Sequence, residues 1–591
     1  MILNKPLTAA RLRRLMQTAR GQLPADAVIE NISLVNVYSG EILPNQSVAL
    51  SGDRIVRVDE KRSGMTGPKT RVTDGRGGYL LPGFIDAHTH LDSIFTCAEF
   101  APYALATGNT TAVTEMAMAA NVLGTAGIEW FIDEAAATLM RIFFLAPALT
   151  PPFPELETSQ GMDRKAFRRI LNRPEVLGVG ESYWPRVVGE DPRVLAAYVG
   201  AHGLGKTREG HAAGARGENL SAYTTAGTTS CHEATTLEEA LERLRLGLGV
   251  MIREGFVRRE FPAIAPLLTQ GFDLHRVMLV SDLFDPADLV QGRGMNALLA
   301  QAVAAGCPPV TAVQLVTRNV ADYYHLRDLG GIAPGKLADL VLVEDLRSFN
   351  CRQVWVNGQL AVDEGRPLAG PAPFQYPLEA RQTFSVPPIQ PEIFSLPAAG
   401  REITLRAVRI SNQTITRGNT VRLAVQKGQI PSDPRQDVLK AAVFQRRDAV
   451  PRPALGFAQG IGLKQGAVAT SFTWDAGNLL VIGVSDREMA LAVNRLLDLG
   501  GGLVVAAGER IVAEMPMPIL GLISEQPLPE LVNQIKALEQ AFRTLGSGLE
   551  RPFLTLQTFC FTGLPFIRLT DKGLADVREK KLIDLFLEKE D

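Results

Sequence analysis

The sequence has few cysteines and no long hydrophobic run, and each absence excludes a class of protein. The five cysteines lie far apart and include no CxxC pair, which argues against a disulfide framework or a thiolate zinc site. No stretch approaches the roughly 18 consecutive apolar residues of a membrane-spanning helix. Basic residues interrupt the apolar runs of the N-terminus, MILNKPLTAARLRRLMQTAR, which favours an amphipathic helix over a signal peptide. We therefore expect a cytoplasmic protein that does not enter a membrane.

An excess of charge of one sign is also missing. The 61 Lys and Arg residues nearly balance the 63 Asp and Glu residues, for a net charge of -2, so the bulk charge gives no footprint for nucleic acid. A length of 591 residues exceeds what one hydrophobic core usually fills. These values predict two or three domains, and they favour a small-molecule substrate over a nucleic-acid partner.

The middle of the chain alternates apolar, strand-like runs with helical segments. Eight such alternations over about 250 residues are typical of an α/β protein with a (β/α)8 barrel. The predicted strands end near His90, Glu115, Pro147, Glu181, His211, His232, Arg253 and Asp282. Short β-rich segments flank this region on both sides and predict a satellite sheet built from both flanks. A proline-rich stretch over 367–397 then separates a carboxy-terminal domain of mixed strands and helices.

Histidine is scarce, with seven residues in the chain, so its placement is informative. His88 and His90 form an HxH pair directly after an apolar strand, and residues i and i+2 of a strand face the same side. Both imidazoles can therefore converge on one metal ion. The carboxyl ends of barrel strands open onto one face, so we expect the same site to include the other polar residues that end predicted strands. These are Glu181, His211, His232 and Asp282.

The predicted ligands are nitrogen and oxygen atoms without thiolate, which suits manganese, iron or zinc. A shared carboxylate at Glu181 would hold two ions close together, and such ions lower the pKa of a bridging water towards neutrality. Asp282 would then accept the proton of that water and deliver it to a leaving group. The pattern predicts a metal-dependent hydrolase that uses hydroxide generated at a binuclear centre.

These residues resemble the amidohydrolase superfamily and, within it, the adenine deaminase family. The likeness covers most of the chain. Its segments are LPGFIDAHTHLDS, ANVLG, LGVGE, REGHAAGARGENLSAYTTAGTTSCHEATTLEEALERLRLG, MIREG, LGGIAPGKLADLVLVEDL, MALAVNRLLDLGGGLVV, MPMPILGLIS and RLTDKGLADV.

The resemblance implies a domain organisation. It consists of an N-terminal helix over 1–24, a composite β-sandwich over 25–80 and 336–385, a hydrolase barrel over 81–335 and an adenine-deaminase-like carboxy-terminal domain over 386–591. It also implies a divalent metal cofactor, with Mn²⁺ favoured and Fe²⁺ or Zn²⁺ as alternatives, and a homo-oligomer, as a dimer or a larger assembly.

The resemblance also assigns roles to individual residues. His88 and His90 correspond to the metal ligands of the first strand, and His211 and His232 to those of the fifth and sixth. Glu181 takes the bridging position. Asp282 matches the acid of the eighth strand, and it is both a ligand and, with Glu233, a predicted catalytic residue. Predicted substrate contacts are Arg253, Trp184, Glu115 and Trp474.

Several family positions differ in this chain. Adenine deaminases typically read DPHE before the ANVLG segment, where this chain has Glu115-Met116-Ala117-Met118. Two aspartates that end the eighth strand become Asp282 followed by Leu283 and Phe284. A GHID-like segment becomes 293–296, RGMN, and an AHDSHN-like motif becomes 473–478, TWDAGN. Cys231 replaces an aspartate. Polar groups give way mostly to apolar ones, which favours a more apolar or differently shaped substrate than adenine.

The leading hypothesis is hydrolytic deamination of an aminopurine or related amino-heterocycle with release of ammonia. An amide or cyclic-amide (lactam) hydrolase with a more apolar pocket is the alternative. A non-catalytic scaffold relative is a third possibility, although the six predicted ligands argue for an enzyme.

Overall fold

The computed structural model describes residues 7–60 and 65–587. The predicted N-terminal helix is represented by α1 (Ala9–Ala19), and residues 1–6 of that prediction lie outside the described residues. Thr8 caps α1, because its side chain accepts a hydrogen bond from the backbone N–H of Arg11 at 3.2 Å and so pairs a donor that the first helical turn leaves free. Within the described ranges, no helix is long and apolar enough to cross a membrane.

The first flanking segment forms five strands. β1 pairs with β2 and β2 with β3 in antiparallel register, while β4 and β5 run parallel to β1. Their bounds are β1 Ala27–Asn36, β2 Glu41–Ser51, β3 Arg54–Asp59, β4 Arg71–Asp74 and β5 Tyr79–Pro82.

Strands and helices alternate through the central region. Its strands are β6 Phe84–Thr89, β7 Ile94–Phe95, β8 Asn109–Thr114, β9 Arg141–Ala146, β10 Val176–Tyr183, β11 Thr207–His211, β12 Ser230–Cys231, β13 Gly249–Arg253 and β14 Val277–Val280. Its helices are α2 Cys97–Ala106, α3 Ala117–Ala137, α4 Arg164–Leu171, α5 Trp184–Val187, α6 Pro192–Gly203, α7 Gly217–Thr225, α8 Leu237–Arg245, α9 Phe261–Ile264, α10 Pro286–Val290, α11 Met295–Ala304, α12 Pro309–Leu315 and α13 Arg318–Tyr323, with a 3₁₀ turn at Ala265–Leu268.

Eight of these strands form two parallel sheets, ordered β11-β10-β9-β8-β6 and β12-β13-β14. Backbone hydrogen bonds join the sheets at both edges. The N–H of Asp282, after β14, donates to the carbonyl of His88 in β6 at 3.1 Å, and the N–H of Thr229, before β12, donates to the carbonyl of Arg208 in β11 at 2.9 Å. The curled arrangement is consistent with the predicted TIM-like barrel, and each predicted strand end lies within about two residues of an observed one.

The second flanking segment completes the first sheet. Its strands are β15 Leu340–Val343, β16 Cys351–Val356, β17 Gln359–Asp363 and β18 Arg366–Pro367. β15 lies antiparallel to β5, with Leu340 opposite Pro82, so strands from both flanks form one nine-stranded sheet. Side chains of both flanks, including Ile29, Leu80 and Trp355, pack in one hydrophobic cluster. The finer division into a β-sandwich stays a prediction.

The carboxy-terminal region contains a second, largely antiparallel sheet of eight strands in the order β20-β19-β22-β21-β24-β23-β25-β26. Its elements are α14 Leu378–Arg381, a 3₁₀ turn Pro391–Phe394, β19 Glu402–Ile410, β20 Thr416–Ala424, β21 Val438–Phe444, β22 Ala454–Gln459, β23 Ala467–Thr470, β24 Leu479–Gly483, α15 Asp486–Asp498, β25 Gly502–Ala507, β26 Arg510–Pro516, β27 Ile523–Ser524, α16 Leu528–Thr544, α17 Pro552–Phe559, β28 Ile567–Thr570, β29 Gly573–Asp576 and β30 Lys581–Ile583.

The carboxy-terminal region lies against the end of the barrel at which the strands finish. β27 pairs in parallel with β7, Ile523 opposite Ile94, only a few residues after the HxH pair. The backbone N–H of Leu528 also donates to the Glu99 carboxylate at 2.7 Å. The segment that follows β23, which contains Trp474, is thereby brought to the carboxyl ends of the barrel strands.

Candidate metal centre

The six predicted ligands converge at the carboxyl ends of the barrel strands. Their ligand atoms form two groups, in each of which all atoms lie within 4.8 Å of one another. Glu181 belongs to both groups, as the sequence predicts for a bridging carboxylate. The first group is His88, His90, Glu181 and Asp282, and the second is Glu181, His211 and His232. We refer to these six residues as the barrel cluster.

The distances within the barrel cluster are those of a compact polar centre. The Nε2 atoms of His88 and His90 lie 3.4 and 3.5 Å from Glu181 Oε1, and both lie 3.3 Å from Asp282 Oδ1. His232 Nε2 is 2.9 Å from the same Glu181 oxygen. One carboxylate oxygen of Glu181 therefore faces three imidazoles.

The positions of His88 and Asp282 are fixed by contacts between the first and eighth strands. Asp86 in β6 accepts hydrogen bonds from the backbone N–H of Ser281, at 3.1 Å, and from its hydroxyl. Asp282 itself has a left-handed backbone conformation, with φ of 51°, which a non-glycine residue adopts rarely and at functional sites more often than elsewhere. The strand junction thus holds the eighth-strand acid beside the HxH pair.

Opposite charges dominate the electrostatics of the barrel cluster. Burial disfavours a charged imidazole, but the neighbouring Asp282 and Glu181 carboxylates outweigh it and raise the pKa of His88 to about 10. Burial likewise opposes ionisation of Glu181 and Asp282, yet their imidazole partners, together with Arg253 beside Asp282, lower the pKa of both carboxyls. His232 behaves differently, since burial and the charge of His88 lower its pKa to about 4.

The donor atoms fit a divalent cation. Both ring nitrogens of His88 are buried without a hydrogen-bond partner among the described residues, and such buried polar atoms are costly unless something binds them. The cluster offers imidazole nitrogens and carboxylate oxygens with no thiolate, the ligand set of Mn, Fe or Zn sites. A cation bound there would pair with these nitrogen and oxygen atoms, and its binding would compete with protons for them.

Arg253 lies at the centre of a second set of charges beside the barrel cluster. Its guanidinium forms ion pairs with Glu233, with Glu260 at 2.8 Å and with Asp282 at 3.2 Å. Burial opposes ionisation of Glu233, but the charge of Arg253 prevails and lowers its pKa to about 2. Glu233 Oε1 also lies 3.3 Å from His232 Nε2. The structure therefore places Arg253 and Glu233 against the predicted ligands, where both hold charge in position.

Glu115, a predicted substrate contact, lies beneath the barrel cluster. Its carboxylate accepts the backbone N–H of Glu181 at 3.0 Å and lies 4.0 Å from His88 Nδ1. A Cβ atom on Gly180 would come within 2.1 Å of the Glu115 carboxylate, so any side chain there would displace that carboxylate. Trp184, another predicted substrate contact, is half-buried and donates its indole N–H to the Ala213 carbonyl at 2.9 Å.

Side chains from the carboxy-terminal region cover the barrel cluster. The Trp474 ring lies 5.1 Å from the His90 ring, between centroids, and the Phe561 ring lies 6.4 Å from that of His211. Asp475 accepts a hydrogen bond from the Tyr183 hydroxyl at 2.6 Å. Burial raises the pKa of the Asp475 carboxyl to about 7. We call Trp474, Asp475 and Phe561 the roof; among the predicted substrate contacts, Trp474 reaches the site from this side.

Sequence reasoning did not single out Tyr183, Asp475, Phe561 or Glu260. Tyr183 follows Glu181 by two residues in β10, so strand alternation would have placed both on one face. Asp475 lies inside the 473–478 segment and is the one acid left in it. Phe561 carries no local signal, because nothing in its own neighbourhood indicates a contact with His211.

The family positions that became apolar lie mainly in the hydrophobic core. Met116 and Leu283 are fully buried, and Phe284 stacks on Phe100 with 6.5 Å between ring centroids. Cys231 is buried and its Sγ lies 3.3 Å from the Arg243 Nε. These side chains therefore pack against neighbouring elements, while the predicted metal-ligating positions keep their polar groups. The expected preference for a more apolar substrate stays a prediction.

Comparison with known proteins identifies the chain as a hydrolase that acts on C–N bonds, of the amidohydrolase class. The amidohydrolase family model matches residues 79–361, and a model described as the adenine deaminase C-terminal domain matches residues 413–581. The chain is 35% identical over 576 residues to a protein named adenine deaminase from Desulfatibacillum aliphaticivorans, covering 97% of this chain and 99% of the relative. It is 36% identical over 583 residues to one from Moorella thermoacetica, covering 97% and 98%.

The chain belongs to the adenine deaminase family. Among solved structures, a β-aspartyl dipeptidase from Fervidobacterium islandicum is 19% identical, with a TM-score of 0.45 over 58% of this chain and 97% of that chain.

Proposed function

We propose that this protein deaminates adenine, or a closely related aminopurine, by hydrolysis with release of ammonia. The observation that carries the proposal is the barrel cluster, in which Glu181 is shared by two groups of ligand atoms within 4.8 Å. Full-length similarity to proteins named adenine deaminase supports the choice of substrate.

Two divalent cations are proposed for this site, with Mn²⁺ favoured over Fe²⁺ or Zn²⁺. His88, His90 and Asp282 would hold one ion, His211 and His232 the other, and Glu181 both. Bound there, the ions would supply Lewis acidity and lower the pKa of a coordinated water. Metal content of the purified protein, measured by plasma mass spectrometry, tests the number of ions and their identity.

Asp282 is the proposed general base and acid. One of its oxygens faces both imidazoles of the HxH pair, and the other lies 3.2 Å from Arg253. These partners keep the carboxyl ionised, so that it can accept a proton from water and pass it to the departing amine. Glu233 is held by the same arginine beside His211 and His232, where it is proposed to assist proton transfer.

The roof is proposed to recognise the purine ring and to exclude water. The Trp474 and Phe561 rings provide apolar surface, and the Asp475–Tyr183 pair provides hydrogen-bonding groups. Adenine needs such partners for its ring nitrogens, since a buried nitrogen without one loses binding energy. Asp475 would therefore supply part of the polarity that the substituted family positions lack.

The experiment is to measure ammonia release from adenine by the Mn²⁺-loaded protein, with Asp282→Asn as the blank. Turnover by the parent protein that the substitution abolishes is the expected result. A metal-replete protein that releases no ammonia from adenine or other amino-heterocycles would contradict the proposal.

An amide or lactam hydrolase is the second candidate, because the aromatic rings of the roof make one wall of the site apolar. Product analysis separates the two reactions, since cleavage of a cyclic amide opens a ring and releases no ammonia from an exocyclic amine. Turnover of a lactam without turnover of any aminopurine would favour this candidate.

We further propose the domain limits that the resemblance implies, 25–80 with 336–385, 81–335 and 386–591, together with a homo-oligomer. Strands from both flanks in one sheet support the composite first domain. Light scattering during gel filtration tests the oligomer, and a mass of one chain would contradict it.

A further inference from the structure

The three histidines outside the barrel cluster line one cavity of about 400 Å³. His202 lies at the end of α6, His275 lies two residues before β14, and His325 lies two residues after α13. All three side chains are exposed, so none of them is a buried structural histidine. The seven histidines of the chain thus fall into two groups, four in the barrel cluster and three around this cavity.

The cavity lies at the opposite end of the barrel from the predicted metal ligands. Lys206 directly precedes β11, Arg208 lies near the start of β11, and Arg276 directly precedes β14. These are the amino ends of strands whose carboxyl ends carry His211 and Asp282. The cavity is therefore distinct from the barrel cluster.

Positive charge dominates the lining of this cavity. Lys206, Arg208 and Arg276 face a single acid, Asp322, among the residues that line it in the described part of the chain. Asp322 also forms an ion pair with Arg318 at 3.4 Å. The whole chain has a net charge of only -2. The excess of cations at this cavity therefore comes from where the charged residues lie in the fold, because the overall composition has no such excess.

The cationic groups are held by the main chain. Lys206 Nζ donates to three backbone carbonyls at 2.5–2.8 Å, which uses all three of its N–H donors, so it contributes charge to the cavity but no free donor. Arg208 and Arg276 each use one nitrogen to bind a backbone carbonyl, of Gly227 and Gly247 respectively. Across the described ranges, their other guanidinium nitrogens have no protein acceptor. Positioned donors of this kind suit an anionic ligand such as phosphate.

A second cavity of about 190 Å³ adjoins the first and shares Asp322 and His325 with it. Its lining adds further cations and an exposed aromatic ring, Tyr38. The Arg318 guanidinium and the Lys336 ammonium lie 6.0 and 5.7 Å from the centre of that ring. The two cavities together form what we call the basic face, with Arg208, Arg276 and the three histidines in the larger cavity and Tyr38 in the smaller one.

We propose that the basic face binds a nucleoside monophosphate. The phosphate would lie among the histidines and arginines of the larger cavity, and the base would lie beside Tyr38 in the smaller one. Charge-assisted hydrogen bonds from arginine hold phosphate oxygens, and the part of the Tyr38 ring that Arg318 and Lys336 leave exposed offers a contact surface to the base. The site would be separate from the C–N bond hydrolysis at the barrel cluster.

Isothermal titration of the metal-loaded full-length protein with AMP and with ribose 5-phosphate tests the proposal. We expect one AMP per chain. Arg276→Gln should weaken AMP binding about tenfold, the loss expected for removing one charge-assisted hydrogen bond. Arg13→Gln, at an exposed arginine of α1, is the matched control and should leave binding unchanged. Tyr38→Ala should weaken AMP binding and leave ribose 5-phosphate binding unaffected.

Two further variants separate this site from the barrel cluster. Asp282→Asn should bind AMP as the parent does, and Arg276→Gln should release ammonia from adenine at the parent rate, which also shows that it is folded. Loss of AMP binding in Asp282→Asn, with binding retained in Arg276→Gln, would place the anion at the metal centre and overturn the proposal. Equal affinity for AMP and ribose 5-phosphate would overturn the placement of the base. The binding outcomes are measured without turnover and so do not depend on the proposed deaminase activity; only the ammonia-release control of Arg276→Gln does, and its thermal unfolding compared with that of the parent serves as the second check of folding.

Discussion

The barrel side and the roof side of the candidate site favour opposite protonation states of their carboxyl groups. On the barrel side, Glu181 and Asp282 are surrounded by imidazoles and an arginine, which lower the pKa of both. On the roof side, Asp475 is buried with the Tyr183 hydroxyl as its hydrogen-bond partner, and burial raises its pKa to about 7. On the barrel side, opposite charges therefore determine the pKa of the carboxyl groups, whereas on the roof side burial does.

This difference separates two tasks within one site. Ionised carboxylates and imidazoles suit metal binding and proton transfer. An apolar wall with a carboxyl whose pKa lies near 7 suits recognition of a ring with few charges. Substitutions in the roof are therefore expected to change which substrate is used, whereas substitutions in the barrel cluster are expected to change whether any is used.

The largest effect is expected on the barrel side, at Asp282. Asp282→Asn keeps the shape of the side chain but removes the proton acceptor, so kcat for ammonia release should fall by about 10²- to 10⁴-fold. Asp133→Asn, at an exposed aspartate of α3, is the control and should keep parent activity. Activity within threefold of the parent, as an order-of-magnitude margin, would show that the barrel wall does not supply the acid and base.

A smaller loss is expected when the shared ligand is neutralised. Glu181→Gln removes the charge that faces three imidazoles, and metal affinity should fall by at least about 10- to 100-fold. Competition with a fluorescent chelator measures the affinity, and Glu218→Gln, at an exposed position of α7, serves as the control. Unchanged affinity and metal content would argue that the two groups of ligand atoms do not share Glu181.

The roof is expected to contribute to the pH dependence of the free energy of unfolding, through Asp475. The pKa of Asp475 is about 7 in the folded protein against 3.8 as its ordinary value, so the folded state holds an extra proton between these values. Its contribution to stability is complete below about pH 4 and is lost as the pH rises to about 7, on the order of 1 kcal/mol per pH unit. Asp475→Asn should remove this part of the pH dependence.

Urea unfolding of the metal-free protein at several pH values measures this effect. Asp498→Asn, at an exposed aspartate of α15, should keep the parent pH dependence. If Asp475→Asn and the parent lose stability in parallel as the pH rises, the Asp475 carboxyl is ionised in the folded state. Its pKa would then not be raised, and the two sides of the site would not differ in the protonation of their carboxyl groups.

The smallest effect is expected for the apolar part of the roof. Trp474→Ala removes a ring that contacts His90, which should raise KM for adenine by about 2- to 10-fold with less change in kcat, since aromatic contacts contribute about 0.5–1.5 kcal/mol. Trp474→Phe should restore most of the lost binding. A fall in kcat with constant KM would instead assign Trp474 to the chemical step.

The convergence of the barrel cluster could be predicted from the sequence because each predicted ligand is a polar residue that ends an apolar strand. The eight strand ends follow from local hydrophobic patterns, and the geometry of parallel strands then brings Glu181 and Asp282 together although a hundred residues separate them. The flanking sheet was predictable for a similar reason, since β-rich segments occur on both sides of the barrel.

The roof could not be predicted in this way. The hydrogen bond between Tyr183 and Asp475 spans 292 positions. It depends on how the carboxy-terminal region lies against the barrel strands, which no local pattern encodes. Trp184 is a predicted substrate contact; it begins α5, and its indole N–H donates to the Ala213 carbonyl. Alternation along β10 favours Tyr183, because it shares the face of Glu181.

The sheet that joins both flanks has a consequence for how the protein is made. β5 and its partner β15 lie on opposite sides of the barrel in sequence. During synthesis at ~5–20 residues per second, the free edge of β5 therefore waits on the order of 10–50 s before its neighbour leaves the ribosome. An unpaired edge is a template for association with other chains. Nascent chains that stop before Leu340 present that edge permanently, so premature termination favours aggregation over a shortened but folded enzyme.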